Sequence, residues 1–352
     1  MHRQRPSAIR IVLLVVAATL GAAVLLALVQ AISGNRPERR TTTSTRNSVA
    51  TVPTKAAAPA TTTAADGVPT RATLDRQVAA ARRPDPAVPE ARTSAFDAAR
   101  ALRLVRLQVA AGPRPAGSDA LAGVRRELLR RLPDARSEPV TGHPGLVNLV
   151  GRIPGRAPAV VLAAHYDTQL LPVGFVGAND SAAGTAVVLE AARALSRRPR
   201  PAGAREVRFV LFDGEELPPG GDDDQFERDG LRGSTAYAAA HASEVGSLVL
   251  ADYVAGRGLR LPRELGSDRT LWRRVRAAAG RAGVGKVFAG TGIGIVDDHL
   301  PFLRAGVPAV DLIDWDHPQK NTVDDTIDHL SERALDATGE TVVGWLTAER
   351  RR

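Results

Sequence analysis

The chain has 352 residues, a formal charge of +9, 44% hydrophobic and 24% charged residues, and no cysteine. Such a length can bury a large core, and the absence of cysteine excludes disulfide frameworks, thiolate metal sites and thiol nucleophiles. Residues 1–71 hold nine Lys/Arg and two acids; the remaining 281 residues hold 38 bases and 36 acids, a net of +2, which argues against a nucleic-acid-binding domain.

Residues 11–32, IVLLVVAATLGAAVLLALVQAI, carry no charge. As a helix rising about 1.5 Å per residue they reach roughly 33 Å, enough to cross a bilayer core. This run exceeds the usual apolar region of a cleaved signal peptide, so an uncleaved anchor is expected after a cytoplasmic tail over residues 1–10. Residues 33–93, rich in Thr, Ala and Pro at their start, are expected to form a disordered stalk outside the membrane, with a folded domain over 94–352.

The folded part alternates helical and strand patterns. A helix is expected over 94–111, started by Ser94 with Asp97, and a second after Ser118. Strands follow at 146–153 and 159–165, then a helix at 181–195, a strand at 206–213, a helix at 233–242 and a strand at 247–254. A helix at 268–283, a short helix at 300–306, a strand at 308–313 and a closing helix at 331–346 complete the series. This alternation predicts an α/β fold, a three-layer sandwich around a mostly parallel mixed sheet.

In such sheets ligands gather beyond the carboxyl ends of the strands. There the sequence places His165, then Asp213, Glu215 and Glu216, then Asp252. Asp180 precedes a helix, and Asp297, Asp298 and His299 precede another. Crowded carboxylates repel one another unless a cation lies among them, and histidine plus carboxylate without thiolate suits zinc. In the adjacent pair Glu215–Glu216, one carboxylate can ligate the metal while the other shuttles protons. The acidic loop 222–229 lacks the spacing and glycine of an EF-hand and is expected to be solvated. No nucleophile elbow, P-loop or dinucleotide fingerprint is present.

The segments AAHYDT (163–168), GANDSAAG (177–184), LFDGEEL (211–217), GSTAYA (233–238), LADYV (250–254), DDHLPFLRAGVP (297–308) and NTVDDT (321–326) resemble the zinc exopeptidase superfamily of aminopeptidases and glutaminyl cyclases. The resemblance covers roughly residues 95–348, and the DDHLPFLRAGVP segment is similar to glutaminyl cyclases. For an aminopeptidase it implies two zinc ions: one on His165, Asp180 and Asp252, the other on Asp180, Glu216 and a late histidine. For a cyclase it implies one zinc on Asp180, Glu216 and that late histidine, with Asp252 and Asp297 in a proton-relay network. Glu215 is the implied general acid/base in both. A cis peptide at Asp180–Ser181 is a further implied feature. The late histidine is replaced here by Asn321, with His317 four residues earlier as a possible substitute. Lys320 stands where cyclases carry an aromatic, near Trp315.

Three functions are therefore expected of the fold. The first is a membrane-anchored, extracytoplasmic glutaminyl-peptide cyclotransferase acting on peptide or protein N-termini. The alternatives are a zinc aminopeptidase and a catalytically silent binding domain with a degraded metal site.

Overall fold

The computed structural model describes residues 67–352. The expected tail and anchor, and the stalk up to residue 66, lie outside the described residues. Helix α1 (Arg71–Ala81) opens the described part and is followed by α2 (Ala98–Val109) and α3 (Asp119–Leu129). Strands β1 (Arg136–Pro139), β2 (Val147–Ile153) and β3 (Arg156–His165) lead to α4 (Gly184–Ser196). Then come β4 (Arg205–Phe212), the single turn α5 (Phe226–Asp229), α6 (Arg232–His241), β5 (Val245–Asp252) and α7 (Arg269–Ala282). The series ends with α8 (Leu300–Arg304), β6 (Ala309–Ile313) and α9 (Glu332–Glu349).

The six strands form one sheet in the order β1-β2-β4-β3-β5-β6. Strands β4, β3, β5 and β6 are parallel; β2 runs antiparallel to β4, and β1 antiparallel to β2. The expected mostly parallel mixed sheet is thus present. Its central strands are apolar on both faces because helices cover both. Val160, Leu162 and Ala164 of β3 face the larger core with α2, α4, α7 and α9, while Val161 and Ala163 face the smaller core with Tyr237 of α6 and Phe302 of α8. This alternation follows from the two-residue period of a strand. In register, His165 pairs with Phe212, and Asp252 with Ile313, so four parallel strands end at one edge.

Two expectations are corrected. Residues 71–93 are not stalk. Thr70 caps α1 by accepting from the Thr73 N–H at 3.2 Å, and Leu74, Ala81 and Val88 are buried in the main core. These few apolar residues are diluted by Arg, Pro and Ala, which hid the pattern. Leu74→Ala should therefore destabilise the domain by about 2–4 kcal/mol, read by denaturant unfolding. An unchanged midpoint would return this segment to the stalk.

The second correction concerns the start of α2. Asp97, not Ser94, is its N-cap, accepting from the Arg100 N–H at 2.8 Å. The preceding amides are drawn elsewhere: Phe96 N–H donates to Glu340 at 2.6 Å and Asp97 N–H to Glu190 at 3.3 Å. Tertiary carboxylates have replaced the expected local box.

Candidate metal centre and active site

His165 ends β3 with its imidazole buried among carboxylates. Its Nε2 lies 3.0 Å from Asp180 Oδ1 and 3.6 Å from Asp252 Oδ1; its Nδ1 lies 3.5 Å from Asp167 Oδ1 and 3.7 Å from Glu215 Oε2. Two sets of donor atoms each fall within 4.8 Å of one another: His165, Asp180 and Asp252, and His165, Glu215 and Glu216. Asp297, His299 and Asp311 form a third buried group. Asp180, Glu215, Glu216, Asp252, Asp297 and Asn321 line one cavity of about 680 Å³. The structure thus brings His165, Asp180, Glu215, Glu216, Asp252 and Asp297, from five separate segments, to the carboxyl edge of the sheet.

Local bonds fix each of them. Asp180 sits in a wide turn between β3 and α4, and its peptide bond to Ser181 is cis. The Asn179 and Asp180 N–H groups donate to the buried Asp325 carboxylate at 2.8 and 3.0 Å. Ser181 donates its hydroxyl to the Asp167 carbonyl, and Thr185 to the His165 carbonyl. Beyond β4, Gly214 takes a left-handed φ of +75°, which turns the chain so that the Glu215 and Glu216 N–H groups each reach Asp167 at 3.3 Å. Asp167 therefore holds the glutamate turn and stands 3.5 Å from His165 Nδ1. Asp213 belongs to the scaffold instead: it pairs with Arg125 at 2.7 Å and accepts from Tyr166 and the Val147 N–H.

The electrostatics describe a pocket short of positive charge. Burial, then the neighbouring acids, push Glu215 and Glu216 well above the ordinary carboxylate range, against the opposing pull of His165. Burial also raises Asp252 to about 7, with Asp180 and Asp297 adding to it and His165 opposing. Burial alone would lower His165, but Glu215, Asp167, Asp180 and Asp252 outweigh it and raise the imidazole well above its usual range. Buried Glu216 Oε1, Asp297 Oδ2 and His165 Nδ1 have no hydrogen-bond partner among the described residues. Imidazole and carboxylates in this crowding form a donor set suited to a divalent cation.

The late positions border the same cavity. Asn321, at φ +57°, lines it, and its amide oxygen lies 2.9 Å from the Tyr253 hydroxyl. His317 belongs to none of the candidate donor groups found among the described residues. It packs beside Tyr253 with ring centroids 5.9 Å apart, and neither ring nitrogen has a hydrogen-bond partner among the described residues. Burial, with His329 nearby, lowers it to about 4. Lys320 places its ammonium 3.2 Å over the Trp315 ring, so cation–π stacking stands in place of an apolar lid. The acidic loop 222–229 is largely exposed, and none of its acids belongs to the clusters above.

Three residues were not anticipated. Arg114, in the GPRPAG loop, is fully buried and donates to the Val176 and Gly177 carbonyls at 2.5 and 2.9 Å. Asp325 and Tyr253 also act on the turn at Asp180, the latter by donating its hydroxyl to Asp180 Oδ2 at 2.6 Å. A basic residue flanked by prolines beside an otherwise acidic site, and a tyrosine directly after a strand-end aspartate, were the available signals.

Comparison with known proteins gives this arrangement its class. The structure is similar to Porphyromonas gingivalis glutaminyl cyclase, with a TM-score of 0.65 and 26% identity, over 73% of this chain and 99% of that one. The model of peptidase family M28 matches residues 148–346, and the chain belongs to that family. It is 30% identical over 199 residues to aminopeptidase YwaD of Bacillus subtilis, covering 52% of this chain and 39% of that protein. It is 29% identical over 240 residues to the glutaminyl-peptide cyclotransferase of Bos taurus, covering 55% of this chain and 64% of that protein. The chain thus matches less than two thirds of the length of either relative. The resemblance drawn from the sequence motifs holds.

Proposed function

We propose that this protein is a zinc-dependent glutaminyl-peptide cyclotransferase acting on the N-termini of peptides or proteins. The supporting observation is the joint lining of one cavity by the buried carboxylates Glu215, Asp297, Asp180, Glu216 and Asp252. His165 completes the donor set from behind. Bound zinc would supply a positive charge that polarises the side-chain carbonyl of an N-terminal glutamine. Glu215 accepts a proton from the attacking α-amine. The new C–N bond closes the ring, the bond to the side-chain nitrogen breaks, and Glu215 returns the proton to the departing ammonia. Asp297 adds negative charge beside Glu215 and so strengthens its hold on that proton. Trp315, Leu170 and Leu171 give the cavity mouth apolar surface for the rest of the peptide.

A second reading is an aminopeptidase, favoured by the proximity of His165, Asp180 and Asp252. Mass spectrometry of products separates the two. Incubation of the zinc-supplemented protein with Gln- and Leu-initiated peptides should release ammonia from the former and leave the latter intact. Release of free amino acids would establish the aminopeptidase, and unaltered peptides would establish the silent binding domain.

We further propose that residues 11–32 anchor the protein with its folded domain outside, on the strength of that uncharged 22-residue run. Protease added to intact cells should then release the domain. Digestion only after permeabilisation would place it inside.

A further inference from the structure

The two oxygens of Asp180 face different partners. Oδ1 is turned to His165 Nε2 at 3.0 Å, the same nitrogen that stands 3.6 Å from Asp252 Oδ1. Oδ2 accepts the Tyr253 hydroxyl at 2.6 Å, and that hydroxyl is 2.9 Å from the Asn321 amide oxygen. A zinc ion shared by residues 180 and 321 would stand about 2.0–2.2 Å from an oxygen of each. The phenolic oxygen stands within hydrogen-bond distance of both, where such an ion would compete with it. It is also firmly held there, because Tyr253 is buried, adopts a left-handed φ of +45°, and donates its backbone N–H to Asp252 Oδ1 at 2.8 Å.

The chemistry of the pair explains the residue at 321. A phenol has one hydrogen, and the carboxylate is its stronger acceptor. With its amide turned by half a rotation, Asn321 offers an N–H to the phenolic oxygen, which the carboxylate leaves free to accept. Asn321 is then the hydrogen-bond partner of Tyr253 rather than a defective metal ligand. On the other side of Asp180, Asp167 is the nearest carboxylate to His165 Nδ1, at 3.5 Å, while Nε2 faces Asp180 and Asp252; a proton on Nδ1 would leave the Nε2 lone pair toward those two oxygens.

We propose that the metal centre holds a single cation on His165, Asp180 and Asp252, and that the Tyr253 hydroxyl, paired with Asn321, fills the place a second cation would take. This rests on the metal dependence proposed above and changes the ligand set implied by the sequence resemblance to cyclases. Glu216 is left without a metal and faces the cavity as a free carboxylate.

Zinc chloride titration of the metal-stripped full-length protein by calorimetry, with zinc counted by elemental mass spectrometry after desalting, tests this. Circular dichroism confirms that each variant is folded. The unaltered protein should bind one zinc. His165→Gln and Asp252→Asn should weaken binding beyond the roughly 10–100-fold that loss of an outer hydrogen-bond partner costs, whereas Glu216→Gln should stay within about tenfold. Asn321→His alone should still bind one zinc, because the Tyr253 hydroxyl remains against Asp180. Asn321→His combined with Tyr253→Phe should bind two.

Loss of zinc in Glu216→Gln, or a second zinc in Asn321→His alone, would overturn the placement while leaving the proposed activity standing. A tyrosinate absorbance band appearing on zinc addition and absent in Tyr253→Phe would overturn it by making Tyr253 a ligand. Zinc binding by no variant would overturn both the placement and the metal-dependent function.

Discussion

Glu215→Gln should lower kcat by about 10²–10⁴-fold while zinc content stays at the level of the unaltered protein. The amide keeps the size and shape of the carboxyl group but cannot take a proton from an amine and return it to a leaving group. The surrounding turn should persist, because it is held through the backbone: the Glu215 N–H donates to Asp167, and the Glu215 carbonyl accepts from the Leu231 N–H at 2.9 Å. The loss should therefore fall on kcat, with KM nearly unchanged. Initial rates across substrate concentrations, with zinc measured on the same samples, provide the check. Full turnover in the variant would remove Glu215 from the mechanism and move the proton shuttle to Glu216 or Asp297.

Arg114→Met should produce the largest loss of stability, about 3–5 kcal/mol, because it strips a buried cation from among buried carboxylates. Burial lowers the Arg114 guanidinium to about 10, while Asp180, Asp325 and Asp167 hold it up. Without it, the Val176 and Gly177 carbonyls lose their donors. Asp325, already raised to about 8 by burial and by Asp180, loses an opposing charge. Asp325 carries the Asn179 and Asp180 amides, so the damage should extend to metal binding as well as to unfolding. At roughly 2–4 °C per kcal/mol, a fall in Tm of about 6–20 °C is expected by differential scanning calorimetry. A shift smaller than the one-kcal/mol range would reduce Arg114 to a packing residue.

Much of the architecture was legible because apolar periodicity survives in the central elements. The runs AVVLAAH and EVRFVLF are continuous because both faces of β3 and β4 are covered, and α9 has a well-placed cap at Ser331, which accepts from the Ala334 N–H. Helix α1 escaped because Leu74, Val78 and Ala81 are its few large or core-facing apolar residues among Arg, Asp and Gln, and β1 because it is an edge strand, mostly exposed, with sequence RSEP. At the site, the residues at strand ends were legible because the sheet itself aligns them. Arg114, Asp325 and Tyr253 were not, since each acts through a contact distant in sequence. The 68-residue separation between Tyr253 and Asn321 is the clearest case.

Zinc content of the purified full-length protein, measured per chain by elemental mass spectrometry before and after chelation, tests the central claim most directly. One zinc per chain is predicted, lost to a strong chelator together with ammonia release from Gln-initiated peptides and regained with it on adding zinc. Two zinc ions on the unaltered protein, or turnover that persists in a metal-free sample, would contradict the account.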